Sequence, residues 1–272
     1  METASKDVLF TIAMNLELPN LLRWCKSNSR INKHVCQNDN LWRSKLLKDF
    51  PNEYPDSQKF DLKKSLRETY VFLYQLSYIK KLLNSDESLY DILLKKEINL
   101  SGKGLKKVPA FDLPHLQVLY LSGNELTTVP AWNLPNLQKL YLSNNKLTSL
   151  PAFNLPNLQA LILSNNQLTE VPSFDLAKLQ VLYLSTNKLT EVPAFYLPNL
   201  QGLDLSNNQL TEVPAFNLPH LQELYLSKNQ LTEVPAFDLP KLQYLYLRNN
   251  QLTEEIQNQI REKYKEIIRI SF

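Results

Sequence analysis

Glycine is nearly missing from this chain. Four occur in 272 residues, at 102, 104, 123 and 202. None has the spacing of a P-loop or a dinucleotide fingerprint, which excludes the usual phosphate cradles. Cysteine is as scarce: Cys25 and Cys36 are the whole complement, too few for a disulfide framework and wrongly spaced for a redox pair or a zinc knuckle. Both are expected as reduced, packed thiols, which points to a cytosolic or nuclear protein and not a secreted one. His34, His115 and His220 are scattered, with no HExxH and no Cys/His cluster, so no metal and no cofactor are expected. No apolar run approaches the roughly 18 residues of a membrane-spanning helix. The first seven residues mix acids among their charges and lead to no apolar core with a small-residue cleavage site, unlike a secretory signal.

Charge of one sign is also lacking. The net charge of +3 comes entirely from residues 1–98, which hold 16 Lys and Arg against 13 Asp and Glu. Residues 99–253 hold ten of each sign and residues 254–272 four of each. A nucleic-acid reader shows a basic stripe, and this chain has none.

What is abundant is repetition. The chain matches itself at a period of 21 residues, with units beginning at Leu113, Leu134, Leu155, Leu176, Leu197, Leu218 and Leu239. A degenerate unit, residues 99–112, precedes them. The consensus LPxLQxLYLSxNxLTxVPAFx contains LxxLxLxxNxL, which resembles the leucine-rich-repeat (LRR) family over roughly residues 92–253. The resemblance implies an α/β solenoid with one short parallel strand per repeat. The residues support it independently: in Leu137-x-x-Leu140-x-Leu142 the last two leucines alternate with polar positions, as a half-buried strand requires. The asparagines at 124, 145, 166, 187, 208, 229 and 250 stand where the chain leaves the strand. There an amide can satisfy backbone groups that the bend leaves unpaired, so they are expected to form a structural ladder.

Thirteen of the sixteen prolines fall in the return segments, a density that forbids regular helices on the convex side. The aromatics Phe111, Trp132, Phe153, Phe174, Phe195, Phe216 and Phe237 are expected to stack there as a spine. Neither end of a solenoid can bury its own face. At the front, Lys103 replaces the ladder asparagine between Gly102 and Gly104. At the back, Thr253 is placed to cap a helix with Ile256, Ile260 and Tyr264 on its apolar face, and Ile267-Ile268-Arg269-Ile270 reads as a closing strand.

The copies differ on the outward strand positions. One column reads Val118, Lys139, Ala160, Val181, Gly202, Glu223, Tyr244. The next reads Tyr120, Tyr141, Ile162, Tyr183, Asp204, Tyr225, Tyr246. A third is serine until Arg248 breaks it. A tyrosine row beside a varied column suits a protein-binding surface, although tyrosine is also simply a good exposed strand residue. Gly202 and Asp204 interrupt the row, as a pocket or as drift. Glu170, Glu191, Glu212 and Glu233 form an acidic edge that reads as solvation. No carboxylate pair or Ser/His/Asp grouping is distinguished from its copies, and no enzymatic activity is expected.

Residues 1–98 follow helical spacing with few prolines. Residues 7–16, a restart at Leu18-Pro19 with Asn20 as cap, a segment marked by Ile31, Val35 and Cys36, and a run from Asn40 to Phe50 read as four helices. Residues 62–83 read as a long amphipathic helix. Asp7-Val8-Leu9-x-x-Ile12-x-x-x-Leu16-x-Leu18-Pro19-x-Leu21-Leu22-x-x-Cys25, then Ile31, Cys36 and Leu41-Trp42, resembles an F-box, with Lys6-Asp7 in place of Leu-Pro and Ser29-Arg30 where many F-boxes carry tryptophan. That resemblance implies docking on a Skp1-like subunit of a cullin ubiquitin ligase through Leu9, Ile12, Leu16, Leu18, Pro19, Leu21, Leu22 and Trp42. With near-identical, glycine-poor repeats behind it, the arrangement looks most like F-box and LRR proteins of large DNA viruses. The expected organisation is an F-box-like domain over 1–50, a helical connector and cap over 51–98, the solenoid over 99–253 and a helix–strand cap over 254–272. The expected role is a non-enzymatic adaptor presenting a protein substrate on the concave face. Alternatives are a binding or sequestering protein whose first helices serve only as a cap, and a structural repeat protein without a dedicated ligand.

Overall fold

The computed structural model describes residues 5–27, 29–55, 65–109 and 112–272. The chain divides into two compact units, Met1–Leu93 and Leu94–Phe272.

In the first unit, the Ser5 hydroxyl accepts from the Val8 amide and starts α1 (Lys6–Asn15). α2 (Leu18–Ser27) begins ahead of Asn20; a proline in a first turn has no amide to satisfy, so Pro19 belongs to the helix and the expected cap lies within it. A three-residue α3 (Ser29–Ile31) runs into a π-helical turn, Asn32–Cys36, and Asn38 caps α4 (Asp39–Asp49). Ser65 and Glu68 form a reciprocal capping box that opens α5 (Leu66–Leu83), later than the predicted start at Leu62, which lies outside the described residues. α6 (Leu89–Leu94) follows. Leu9, Leu21, Trp42, Leu46, Leu73 and Ile79 are almost fully buried and form this unit's core.

Cys25 and Cys36 are joined in a disulfide, which corrects the expectation of two reduced thiols. They stand 11 residues apart in sequence, yet α2 packs on the π-helical turn and brings their Cα atoms to 5.9 Å, within the reach of a disulfide. Spacing along the chain carries no information about that distance. The reduced-thiol argument for a cytosolic or nuclear location falls with it.

The second unit is a solenoid built on a nine-stranded parallel sheet in strict sequence order. The strands are β1 (Glu97–Asn99), β2 (Val118–Tyr120), β3 (Lys139–Tyr141), β4 (Ala160–Ile162), β5 (Val181–Tyr183), β6 (Gly202–Asp204), β7 (Glu223–Tyr225), β8 (Tyr244–Tyr246) and β9 (Arg269–Ser271). Each step of 21 residues pairs like position with like, as in Leu140↔Leu161 and Leu161↔Leu182. The central leucine of each strand from β2 to β8 is fully buried. Stacking equivalent repeats therefore builds one continuous leucine core from faces that no single repeat could bury.

From β1 to β8 the convex side carries no helix among the described residues, only turns and two isolated bridges. Phe174, Phe195, Phe216 and Phe237 stack with ring centroids 6.2, 6.2 and 5.8 Å apart. Phe153 and Trp132 are buried in the same phase, and the Trp132 indole donates to the Pro109 carbonyl at 3.1 Å. Phe111 lies outside the described residues. At the far end Thr253 caps α7 (Glu254–Lys263). The Tyr264 ring covers Phe237 at 6.3 Å, and its hydroxyl accepts from the Phe237 amide at 3.0 Å. β9 then pairs in register with β8, so the solenoid is closed by its own C-terminal segment.

One column that periodicity alone did not single out controls each turn. The residue before the ladder asparagine is left-handed in every repeat from β2 to β8: Gly123 at φ 69°, and Asn144, Asn165, Thr186, Asn207, Lys228 and Asn249 at 55–57°. Glycine and asparagine tolerate that conformation, whereas a β-branched residue resists it. Thr186→Asn is therefore expected to stabilise the solenoid by about 1 kcal/mol. The new amide oxygen can still accept from Asn207 Nδ2, as the Thr186 hydroxyl does at 3.1 Å. A higher Tm in thermal denaturation checks this; an unchanged or lower Tm would show that the turn is held without local strain.

Candidate functional site

The solenoid presents the outer face of its sheet, and the outward residues of β2–β8 other than Gly202 are half-buried or exposed. Because side chains alternate along a strand, the first and third residues of each strand point away from the leucine core. They are the varied column and the tyrosine row. In-register pairing fixes them as neighbours: Tyr120 beside Tyr141, Ile162 beside Tyr183, Asp204 beside Tyr225, Tyr225 beside Tyr246. Tyr120 and Tyr141 stack at 4.7 Å with planes 6° apart, as do Tyr225 and Tyr246 at 4.7 Å and 2°. The row thus serves its own strands and still offers ring edges and hydroxyls outward. Lys139 and Arg248 are exposed, while Val118, Val181, Glu223 and Tyr244 are half-buried. In the serine column, Ser185 donates to Ser164 at 3.0 Å.

The row breaks at β6. Gly202 is buried, because the Tyr183 ring leans across it: a Cβ at position 202 would meet Tyr183 Cε1 at 3.6 Å and its hydroxyl oxygen at 3.9 Å. On β7 the Tyr225 hydroxyl donates to Glu223 Oε2 at 3.0 Å. Burial and the nearby Glu223 and Asp204 carboxylates raise the Tyr183 pKa above tyrosine's ordinary value. Burial and the hydrogen bond to Glu223 do the same, more strongly, for Tyr225. Two tyrosines and two carboxylates thus converge between a flanking strand that carries Ala160 and Ile162 outward and one that carries Tyr244 and Tyr246.

Behind this face the asparagines form a repeating clamp. In Asn145 the amide donates to the carbonyls of Leu121 and Leu142, each at 3.0 Å, and its oxygen accepts from the Leu126 amide at 3.1 Å. Asn124, Asn166, Asn187, Asn208, Asn229 and Asn250 make corresponding bonds. At the front, where Lys103 takes the ladder position, its backbone amide donates to Asn124 Oδ1 at 3.0 Å.

In the helical unit the eight residues predicted to face a partner do not share a surface. Leu9, Leu18, Leu21 and Trp42 are buried, the last donating its indole N–H to the Cys36 carbonyl at 2.8 Å; these four hold the unit together. Ile12 and Pro19 are exposed, and Leu16 and Leu22 are half-buried. Leu9, Leu18, Leu21 and Trp42 lie on the helix faces that pack inward, and a one-dimensional motif does not separate those faces from the outer ones. The exposed apolar side chains on α1 and α4 are Val8, Ile12 and Leu47.

A cavity of about 380 Å³ in this unit is lined by Met14, Leu16, Glu17, Lys45, Lys48, Asp49, Tyr70 and Tyr74 among others. Lys45 is buried there. Its ammonium donates to the Leu16 carbonyl at 3.0 Å, pairs with Asp49 at 3.1 Å and lies 5.3 Å from the Tyr70 ring centre. Lys48 donates to the Met14 carbonyl at 3.1 Å. The cavity's cations are thus engaged in closing the C-terminus of α1, where carbonyls lack helical partners. Among the described residues no cluster of His, Cys, Asp and Glu is arranged to hold a metal ion, and no helix is long and apolar enough to cross a membrane.

A family model described as leucine-rich repeats matches the chain in overlapping spans, 114–155, 135–175, 156–197, 198–238 and 219–259. No curated protein matches the sequence. Among solved structures, an LRR protein of Leptospira interrogans is similar, with 32% identity and a TM-score of 0.57. The match covers 66% of this chain and 55% of that one, so the chain spans little more than half of that protein's length. Listeria monocytogenes InlP is 28% identical with a TM-score of 0.54, over 64% of this chain and 63% of its own. The LRR domain of a Shigella effector is alike in fold, at 24% identity and a TM-score of 0.56, over 83% of this chain and 97% of that one. With its repeats paired in register and more than half its length, residues 114–259, matched by the model, the chain belongs to the leucine-rich-repeat family.

Proposed function

We propose that the chain is a non-enzymatic protein-binding module that holds a partner on the outer face of the β2–β8 sheet. The observation that carries this reading is the contrast between columns: the inward leucines are the same in every repeat, while the outward positions run from Val118 and Lys139 through Gly202 and Glu223 to Tyr244. Tyrosines standing on rigid, register-locked strands supply contact area at low entropic cost.

A finer reading gives the helical unit an F-box role, docking on a Skp1-like subunit so that the held protein becomes a ligase substrate. Exposed Val8, Ile12 and Leu47 favour it, since apolar side chains left on a helical surface suit a helix-lined partner. Four of the motif residues are core, so the docking surface under this reading is Ile12 and Pro19 with Val8 and Leu47.

One set of pull-downs tests both. The full chain and a Tyr141→Ala/Tyr183→Ala/Tyr225→Ala variant are compared for captured proteins, with folding checked by circular dichroism. Loss of the partner by a still-folded variant is the expected result; identical capture would overturn the concave-face reading. Purified Skp1 is run against the parent chain and an Ile12→Asp variant, a site where charge meets solvent and not core. Absence of parent binding would end the adaptor reading and leave an LRR binder.

A further inference from the structure

Resting on the concave-face reading, the geometry points to the nature of one contact: the notch on β5–β7 receives a cationic side chain, arginine or lysine, of the protein held there. Three adjacent strands place Val181, Gly202 and Glu223 in one row and Tyr183, Asp204 and Tyr225 in the next. The missing side chain at 202 lets the Tyr183 ring lie across β6. The Tyr225 hydroxyl, bonded to Glu223, holds that carboxylate on the same side. Asp204 is fixed by the Ser206 amide, which donates to its Oδ1 at 2.9 Å.

The charge here is uncompensated. Asp204 and Glu223 have no ion-pair partner among the described residues, and every other outward strand position from β4 to β8 is neutral. On the same face the nearest cations before and after them in strand order are Lys139 on β3 and Arg269 on β9, with Arg248 just past β8. At about 4.8 Å per strand, Lys139 lies three strands from Asp204, beyond the roughly 8 Å over which exposed charges are felt at physiological salt. Arg269 is turned to the Tyr246 ring, 5.8 Å from its centre. Two carboxylates flanked by tyrosine rings complement a cation twice over, by ion pairing and by cation–π attraction. The copies serve as controls: Tyr120 and Tyr141, one end of the row, stack with no acid on their own strands.

The test is a ¹H–¹⁵N NMR titration of the full chain with N-acetyl-arginine methylamide, with the norleucine analogue as an uncharged probe. Shifts confined to the amides of β5, β6 and β7, saturating at roughly millimolar concentration, are expected for one side chain binding alone. Asp204→Asn/Glu223→Gln should weaken binding about tenfold or more. Both replacements keep the oxygen that accepts from Ser206 or Tyr225, so the fold is undisturbed. No shifts on β5–β7, shifts that persist in the double variant, or equal shifts with the norleucine analogue would overturn the proposal. The same shifts from calcium chloride alone would assign the notch to a metal ion and overturn it equally. None of these failures touches the concave-face reading, which stands or falls on the tyrosine variant's capture of protein.

Discussion

Asn166→Ala is expected to cost the solenoid about 4 kcal/mol, from two carbonyls and an amide left unpaired at roughly 1–3 kcal/mol each, less what relaxation recovers. Asn166 is 7% exposed; its amide donates to Leu142 and Leu163 at 3.0 and 2.9 Å, and its oxygen accepts from Leu147 at 3.1 Å. The side chain thus stitches two adjacent repeats at one point, and its loss uncouples neighbours in a structure whose stability is carried from repeat to repeat. Asn250 makes the corresponding bonds in a half-buried position, so Asn250→Ala should cost clearly less because water reaches the freed groups. Urea denaturation followed by hydrogen exchange at the Leu147 and Leu163 amides checks the pair. Equal midpoints for Asn166→Ala and the parent would mean that the clamp is ornamental.

Lys45→Ala is expected to destabilise the helical unit by about 3 kcal/mol, because removing one partner of a buried pair strands the other. The partly exposed Asp49 carboxylate keeps the figure at the low end. Lost with the ammonium are the bond to Leu16, the contact with Met14 at 3.4 Å, the Asp49 pair and the approach to the Tyr70 ring. The helical circular dichroism signal in urea reads this unit, since the solenoid contributes little beyond α7. A loss below about 1 kcal/mol would reduce the pair to a surface ion pair. The same network sets an alkaline limit. The Tyr70 hydroxyl donates to Asp49 Oδ2 at 2.6 Å, and burial first, then that bond, holds its pKa well above tyrosine's ordinary value. The neutral phenol is the folded form. Its contribution is therefore whole below about pH 10 and is lost as the pH rises further. Tyr70→Phe should flatten that alkaline decline.

Much of this molecule was legible because it repeats. A 21-residue period with leucines at fixed phase leaves one way to bury every copy, so the parallel sheet, its register and the helix-free convex side follow from Leu140, Leu142 and their equivalents together with paired prolines. The asparagine column was legible for the same reason. The left-handed column before it was less so, because Thr186 and Lys228 blur a signal that Gly123, Asn144, Asn165, Asn207 and Asn249 otherwise carry. The helical unit has one copy of each segment and no such averaging. There the F-box spacing marked apolar positions correctly as apolar, yet could not say that Leu9 and Trp42 face inward while Ile12 faces out.

By itself the sequence determined the architecture of the solenoid and which columns would point outward, because both depend only on period and polarity. The tertiary structure decided what depends on distance between residues far apart in the chain. It joined Cys25 to Cys36, buried Lys45 against the end of α1, and laid Tyr183 across Gly202 to bring Asp204 and Glu223 within one notch. Side-chain reach across packed elements sets those contacts, and no local pattern encodes it.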